Sequence, residues 1–264
     1  MKLACCGHSN NTGVSDMVDF AIPPDVKLGC HRRITRVGSI AGVPALRSVF
    51  DAIPRTGWEA LLGISLRPHV KIVHYQNGEG SCAANSSASA GIEIPRSIAG
   101  LPFVHMAPSS LYKNSGRGRD EGSGLDENLK FLRDPGCVPV SMWGGELGYS
   151  KPWPLGFETE AAKFQVDEWF DISTFGEFMT ALFLGFPISY GVFWKDSSGR
   201  EGGHAICAVE PIFENGVWGC VFLNSWGANW GDGGFGKMWE PQIARGINYF
   251  GGFAPRVGTY SMGV

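Results

Sequence analysis

The sequence predicts an α+β protein with two lobes, a helical lobe followed by an antiparallel β-sheet or barrel lobe, and a functional cleft between them. Two observations support this prediction. Helical patterns dominate residues 80 to about 145, and short β-type runs separated by Gly, Asp and Asn turns dominate the chain after Pro187. The chain has 264 residues, of which 44% are hydrophobic, so it can bury a substantial core.

The first 55 residues are predicted to be an N-terminal segment that precedes the main domain, residues 56–264. The segment contains a Pro-Pro break and one probable helix, from Val43 to Ile53. That helix is expected because its apolar residues recur at helical spacing, which predicts one face packed against the rest of the protein: Val43, Leu46, Val49, Phe50 and Ile53.

Three further helices are predicted. A run of small residues from residue 80 to about 94 indicates a helix packed closely among its neighbours, with Cys82 in the first turn. The second helix runs from Leu125 to Leu132 and the third from Thr174 to Leu184, before Gly185. The helical lobe is accordingly placed at about residues 80–145.

The β lobe is placed at about residues 150–264. Its predicted strands are short runs of alternating or continuous apolar residues bounded by turn residues. They are Ile188–Trp194, Ala205–Val209, Val217–Leu223 and Phe235–Met238.

Charge and hydropathy exclude several classes of function. The formal net charge is −3, from 22 basic and 25 acidic residues spread along the chain, so no basic surface for nucleic acid or an anionic membrane is expected. No apolar stretch approaches the roughly 18 to 20 residues that span a bilayer, and the N-terminus lacks the apolar region of a signal peptide. We therefore expect a cytoplasmic protein, with most of its seven cysteines reduced.

Cys82 is the first candidate for chemistry. A glycine-bearing loop leads from Gln76 to this cysteine, which stands at the start of the predicted helix. The N-terminus of a helix favours a thiolate, and a backbone N–H together with the Gln76 amide could hold a developing oxyanion. By itself, however, a cysteine in this context is more often a packed core thiol.

His204 is the second candidate. It follows Gly202 and Gly203, which leave room for the backbone of a substrate, and it begins an alternating strand. A histidine at such a position is usually structural or merely exposed. Cys207, on the opposite face of that strand, is expected in the core.

The third candidate is Asn224, in the run Asn-Ser-Trp-Gly-Ala-Asn-Trp-Gly-Asp-Gly-Gly-Phe-Gly. This run resembles the papain family of cysteine peptidases, whose Asn-Ser-Trp-Gly segment continues in the same way, and the order Cys82, His204, Asn224 suits that family. The resemblance covers about residues 65–250. It implies a papain-like two-lobed fold with the active site in the cleft.

The resemblance also implies a role for each candidate. Cys82 corresponds to the nucleophile, His204 to the general base and acid, Asn224 to the residue that orients the imidazole, and Gln76 to the oxyanion-hole glutamine. Trp226 corresponds to the side chain that shields the His–Asn hydrogen bond. The residues predicted to contact substrate are Gly80, Ser81, Gly122, Ser123, Gly203 and Trp226.

The sequence departs from the family pattern at three positions beside the nucleophile. Glu79 stands where many members have a cysteine, so the neighbouring disulfide cannot form. Ala83 replaces an aromatic residue, and Asn77 stands where glycine is common. These departures affect the shape of the cleft and leave the reacting groups in place.

The implied function is a cysteine-type peptidase that acts on a polypeptide substrate through an acyl-enzyme and needs no metal or organic cofactor. A catalytically silent papain-like domain with a binding or assembly role is the alternative. A reactive Cys82 distinguishes the two, because a low-pKa thiol alkylates rapidly near neutral pH and an inert core thiol does not.

Two other interpretations concern residues outside this set. A metal site could be built from Cys5, Cys6, His8, Cys30 and His31, although these lack ordinary zinc-knuckle spacing. The remaining histidines, at 69, 74 and 105, sit in no recognisable motif and are expected to be structural.

The role of residues 1–55 stays open between two interpretations. Family members are commonly made with an N-terminal prosegment that runs over the cleft and blocks it until removed. This segment, with its Pro-Pro stretch at Pro23 and Pro24, could act in that way. Alternatively, it completes the two-lobed core.

Overall fold

The computed structural model of the protein describes residues 22–166, 168–195 and 198–256. Its helices are short and lie mainly in the middle of the chain. They are α1 (Cys82–Ala88), α2 (Ile94–Ile98), α3 (Pro108–Ser115), α4 (Leu125–Arg133), α5 (Val140–Trp143), α6 (Phe157–Ala161), α7 (Phe175–Phe183) and α8 (Glu240–Phe250). A π-helical turn, Ser89–Glu93, joins α1 to α2.

The described strands form one antiparallel sheet of six strands in the order β1-β6-β2-β3-β4-β5. They are β1 (Glu168–Ile172), β2 (Ile188–Lys195), β3 (Glu201–Glu214), β4 (Val217–Leu223), β5 (Phe235–Trp239) and β6 (Gly252–Arg256). The predicted α+β class is confirmed, with helices before most of the sheet. All four predicted strands are present, and β3 is longer than predicted at both ends.

The three helices predicted from the main domain are also confirmed. α1 begins at Cys82, and the π turn carries the helical chain on to Ile98, beyond the predicted end. α4 begins at the predicted residue, and α7 begins after Thr174, whose hydroxyl accepts a hydrogen bond from the Glu177 N–H at 3.1 Å. That capping interaction satisfies a backbone donor which the first helical turn leaves unpaired.

The predicted helix Val43–Ile53 is wrong. The structure has only a 3-10 turn there, Leu46–Ser48. The backbone on either side of the turn bonds to other elements: the Pro44 carbonyl accepts from the Asp171 N–H at 2.9 Å, and the Ile53 N–H donates to the Thr180 hydroxyl at 3.0 Å. These tertiary hydrogen bonds replace the helical ones, although Leu46 still packs into the core.

Two hydrophobic cores flank the site. The helical core surrounds α1, whose small residues allow close approach; a Cβ at Gly91 would lie 2.7 Å from Leu132 Cδ2. The β core lies between the sheet, α7 and α8. Val43 packs in the helical core and Leu46 in the β core, so the N-terminal segment contributes to both.

Among residues 22–166, 168–195 and 198–256, no helix is long and apolar enough to cross a membrane.

Candidate active site

Cys82 is the first residue of α1, as predicted, and its side chain is fully buried. The sequence predicted a lowered thiol pKa from the helix N-terminus, and this is wrong for the structure. Burial raises the pKa of Cys82 to about 11, against the opposing effect of backbone hydrogen bonds from Ala205 and Gly29. Desolvation of the thiolate thus outweighs the helix end. The hydrogen bond from Ala205 places the Cys82 thiol next to the residue that follows His204 in the chain.

His204 lies near the start of β3, and Asn224 directly follows β4. The His204 Nε2 and Asn224 Oδ1 atoms are 2.8 Å apart. Because Asn224 Oδ1 also accepts from the Ser225 N–H, this oxygen is an acceptor and the imidazole Nε2 must donate. Nδ1 therefore carries the lone pair, and it has no hydrogen-bond partner among the described residues.

The His204 ring is packed between tryptophans. Its centroid is 4.7 Å from that of Trp226 and 5.6 Å from that of Trp194. Burial among these rings lowers the pKa of His204 to about 4, while the Asn224 hydrogen bond acts in the opposite direction. At neutral pH the imidazole is accordingly neutral in this structure, as the thiol is.

Gln76 lies in the loop before α1, where three hydrogen bonds hold its side-chain amide. Its Oε1 accepts from the Ser225 hydroxyl at 2.8 Å, which fixes the orientation of the amide. One N–H direction of Nε2 points to the Glu79 carbonyl at 2.7 Å, and the other points to the Lys27 carbonyl at 2.9 Å. A carbonyl of the N-terminal segment therefore occupies the donor predicted to serve the oxyanion.

The departures beside the nucleophile have structural explanations. Glu79 is buried, and its carboxylate accepts from the N–H groups of Gly148 (2.7 Å) and Tyr149 (3.2 Å) and from the Ser109 hydroxyl. These bonds tie the nucleophile loop to α3 and to the loop after α5 without a disulfide. Asn77 has φ +33°, a conformation that favours glycine and that asparagine adopts more readily than most residues.

The N-terminal segment runs through the predicted substrate cleft. The Gly29 carbonyl accepts from the Ser123 N–H at 2.9 Å, and the His31 N–H donates to the Ser123 carbonyl at 3.1 Å. On the other wall, the Cys30 N–H donates to the Gly203 carbonyl at 2.9 Å. Residues 27–31, which we call the cleft strand, thus form hydrogen bonds with the backbone of Ser123 and Gly203, two residues predicted to contact substrate.

Glycines make this close fit possible. A Cβ at Gly29 would lie 2.4 Å from the Gly80 carbonyl oxygen, and one at Gly203 would lie 2.0 Å from the Cys30 carbonyl oxygen. Gly122, at φ +99°, is equally close to the strand, since a Cβ there would lie 2.1 Å from the Gly29 carbonyl oxygen. Of the predicted substrate-contacting residues, Gly80, Gly122, Ser123 and Gly203 therefore line the cleft strand.

The other two predicted contacts are placed differently. Ser81 is buried, and its hydroxyl accepts from Asn85 Nδ2 at 3.1 Å, so its side chain belongs to the start of α1. The Trp226 ring packs against the His204 ring, and its side chain is buried; its shielding role stays a prediction.

Ionic contacts hold the cleft strand at its sides. Lys27 pairs with Asp120, and just beyond the strand Arg33 donates from Nη1 to Asp171 Oδ1 at 2.7 Å. The second pair is buried on both sides, so removing either partner would leave an uncompensated buried charge. This buried pair therefore anchors the chain at Arg33.

Residues of the alternative metal site are only partly described. Cys5, Cys6 and His8 lie outside the described residues. Cys30 is buried in the helical core, whereas the imidazole of His31 is exposed and contacts the Glu121 carbonyl at 2.8 Å.

No protein-family model matches the sequence, and no curated protein matches it either. Solved structures do match. Xylellain, a cysteine protease from Xylella fastidiosa, is 19% identical with a TM-score of 0.69, and the match covers 90% of this chain and 99% of that one. ProCathepsin B S9 from Trypanosoma congolense is 13% identical with a TM-score of 0.63, and 87% of each chain is covered.

A third similar structure is the digestive procathepsin L 3 of Tenebrio molitor larval midgut, at 14% identity and a TM-score of 0.58. That match covers 74% of this chain and 69% of the other. At 13–19% identity, the similarity to these structures shows the fold of the chain alone.

Proposed function

From the papain-like α+β fold that this chain has, we propose that it is a cysteine-type peptidase that cleaves polypeptides. The observation that carries the proposal is the His204 Nε2 to Asn224 Oδ1 hydrogen bond of 2.8 Å. This bond leaves Nδ1 of His204 available as a base. Ala205, the residue after His204, contacts the Cys82 thiol. A silent domain has no chemical need for this orientation of the ring.

In the proposed reaction, the Cys82 proton passes to His204 Nδ1, and the thiolate attacks the carbonyl carbon of a peptide bond. The carbonyl oxygen becomes an oxyanion, which accepts hydrogen bonds from Gln76 Nε2 and the Cys82 N–H. His204 then gives its proton to the leaving amine as the C–N bond breaks, and an acyl-thioester remains on Cys82.

Hydrolysis completes the cycle. His204 takes a proton from a water molecule, whose oxygen attacks the thioester carbonyl, and the Cys82 thiol leaves with that proton. Throughout, the Asn224 hydrogen bond keeps the imidazole in one tautomer and orientation. Burial of the His204 ring under Trp226 keeps water from competing for that bond.

We propose further that the cleft strand blocks this reaction. It occupies the Gln76 donor through the Lys27 carbonyl and covers the backbone of Ser123 and Gly203. It also removes water from the reacting pair, which favours the neutral thiol and imidazole over the thiolate–imidazolium pair. Displacing the strand would reverse both effects.

Only the first part of residues 1–55 suits this blocking role. Val43 and Leu46 are buried in the two cores, so losing them would open cavities in both. We therefore propose that the blocking element is the cleft strand, and that the chain from Arg33 onward is structural.

A single substitution in the full chain tests the blocking role. We expect Gly29→Val to raise the rate of hydrolysis of an unstructured protein such as casein by about 5- to 160-fold. A side chain at Gly29 collides with the Gly80 carbonyl oxygen at 2.4 Å, and overpacking of this kind costs about 1–3 kcal/mol, which weakens the bound strand.

Gly57→Val is the matched control, because a Cβ at Gly57 meets nothing within 4 Å. It should leave the rate at the wild-type value. Equal rates for wild type, Gly29→Val and Gly57→Val, with all three folded by circular dichroism, would rule out a blocking strand.

A further inference from the structure

A cluster of ionisable side chains lies apart from Cys82 and plays no part in the proposed reaction. His74, His105 and Glu146 come from three separate parts of the chain: the loop before Gln76, the segment before α3 and the loop after α5. One side-chain donor atom from each residue lies within 4.8 Å of the others. Both histidines were predicted to be structural, because neither lies in a recognisable motif.

Two imidazole nitrogens point at one carboxylate oxygen. The His74 Nδ1 atom is 3.0 Å from Glu146 Oε1, and the His105 Nε2 atom is 2.5 Å from the same oxygen. Zinc binds nitrogen at about 2.0–2.1 Å, so tetrahedral ligands stand about 3.3 Å apart. Both separations from Glu146 Oε1 lie within about 1 Å of that spacing.

A second carboxylate orients His74 from behind. Its Nε2 lies 2.8 Å from Glu93 Oε2, and Glu93 is itself held by the Met106 N–H, 3.0 Å from Oε1. Glu93 ends the π-helical turn after α1, a departure from α-helical geometry that is frequent at functional sites. A carboxylate that accepts the far N–H of an imidazole is the usual support of a metal-binding histidine, because it leaves the other nitrogen unprotonated for the ion.

The charges also suit a divalent cation. His74 is buried, and its ring lies between the carboxylates of Glu93, 2.8 Å from Nε2, and Glu146, 3.0 Å from Nδ1. A divalent ion bound at Nδ1 of His74 would balance the two negative charges of these carboxylates.

We propose that His74, His105 and Glu146 bind a divalent transition-metal ion of the zinc type, with Glu93 supporting His74. His105 and Glu146 keep part of their side chains exposed, at 29% and 21%, so solvent can supply the fourth ligand. His74 lies two residues before Gln76, and its carbonyl accepts from the Gly227 N–H at 2.9 Å. The ion would therefore fix the loop that carries Gln76 to the helical lobe.

Titration of the full-length Cys82→Ala protein with Co²⁺ tests the site, since this background removes the thiol nearest the cleft. We expect one equivalent of Co²⁺ to bind, with the visible absorption of a four-coordinate ion, and Zn²⁺ to displace it. His105→Ala should weaken Co²⁺ binding by at least about 100-fold, because loss of a supporting residue alone costs 10–100-fold. His105 is part-exposed, so this variant should keep the fold.

His69→Ala is the matched control, as His69 contacts Ser97 away from the cluster. It should bind Co²⁺ as the parent does. A near-ultraviolet thiolate-to-cobalt band would place the ion on cysteines such as Cys5, Cys6 or Cys30 and overturn the proposal. Absence of binding, or binding that His105→Ala leaves unchanged, would overturn it as well.

Discussion

We expect Cys82→Ala to lower the rate of peptide hydrolysis by at least about 10⁴-fold, measured in the Gly29→Val protein so that the cleft is open. The substitution removes the only atom proposed to form the acyl-enzyme. It should leave the fold intact, because it deletes one sulfur atom from a helix start already surrounded by small residues. The free energy of unfolding should fall by about 1 kcal/mol, which urea denaturation would measure.

Cys137→Ala provides the control for this prediction. Cys137 is equally buried, and its sulfur contacts the Ser110 hydroxyl at 3.4 Å, outside the cleft. We expect this variant to hydrolyse the same substrate at the parent rate. Turnover that persists in purified Cys82→Ala protein would eliminate Cys82 as the nucleophile.

His204→Ala should be about as damaging as Cys82→Ala, because the thiol and imidazole act as one unit and neither accelerates the reaction without the other. The double variant should then be no slower than either single variant. Asn224→Ala should keep measurable residual activity, because Asn224 only orients a ring that Trp194 and Trp226 also hold.

Steady-state rates of the three single variants and the double variant, all in the Gly29→Val protein, give this comparison. Equal and complete loss in His204→Ala and Asn224→Ala would contradict the ranking of their roles. Additive losses in the double variant would mean that Cys82 and His204 do not act together.

The elements that carry the candidate site could be read from the sequence because their signals are local. The small-residue run after Cys82 predicted α1, and the alternation after His204 predicted the middle of β3. The run beginning at Asn224 predicted the residue that contacts the imidazole. In each case the residues that decide the structure are neighbours in the chain.

Other features depend on contacts between distant residues, and the sequence did not reveal them. The apolar spacing from Val43 to Ile53 predicted a helix, but Asp171 and Thr180 draw that backbone into other hydrogen bonds. β1 and β6 were not predicted; they pair with each other, and β6 also pairs with β2, through residues far apart in the chain. The buried role of Glu79 depends on the loop at Gly148, far along the chain.

The state of the thiol was the least predictable property. A helix start is visible in the sequence, whereas the burial that outweighs it arises only when distant parts of the chain pack around Cys82. The glycines at 29 and 203 were the available signal, since both permit two backbones to approach closely. The sequence does not show which backbone approaches each glycine. In the folded chain, Gly80 approaches Gly29 and Cys30 approaches Gly203.

Alkylation of Cys82 by iodoacetamide at pH 7, followed by peptide mass spectrometry, tests the central claim most directly. With a pKa of about 11, only roughly one Cys82 in 10⁴ is a thiolate in the wild-type protein, so its alkylation should be slow. Opening the cleft in Gly29→Val should make Cys82 the fastest cysteine to react, and adding His204→Ala should remove that advantage. If Cys82 in the Gly29→Val protein reacts no faster than the buried Cys137, Cys82 is an inert core thiol and the proposed peptidase mechanism is wrong.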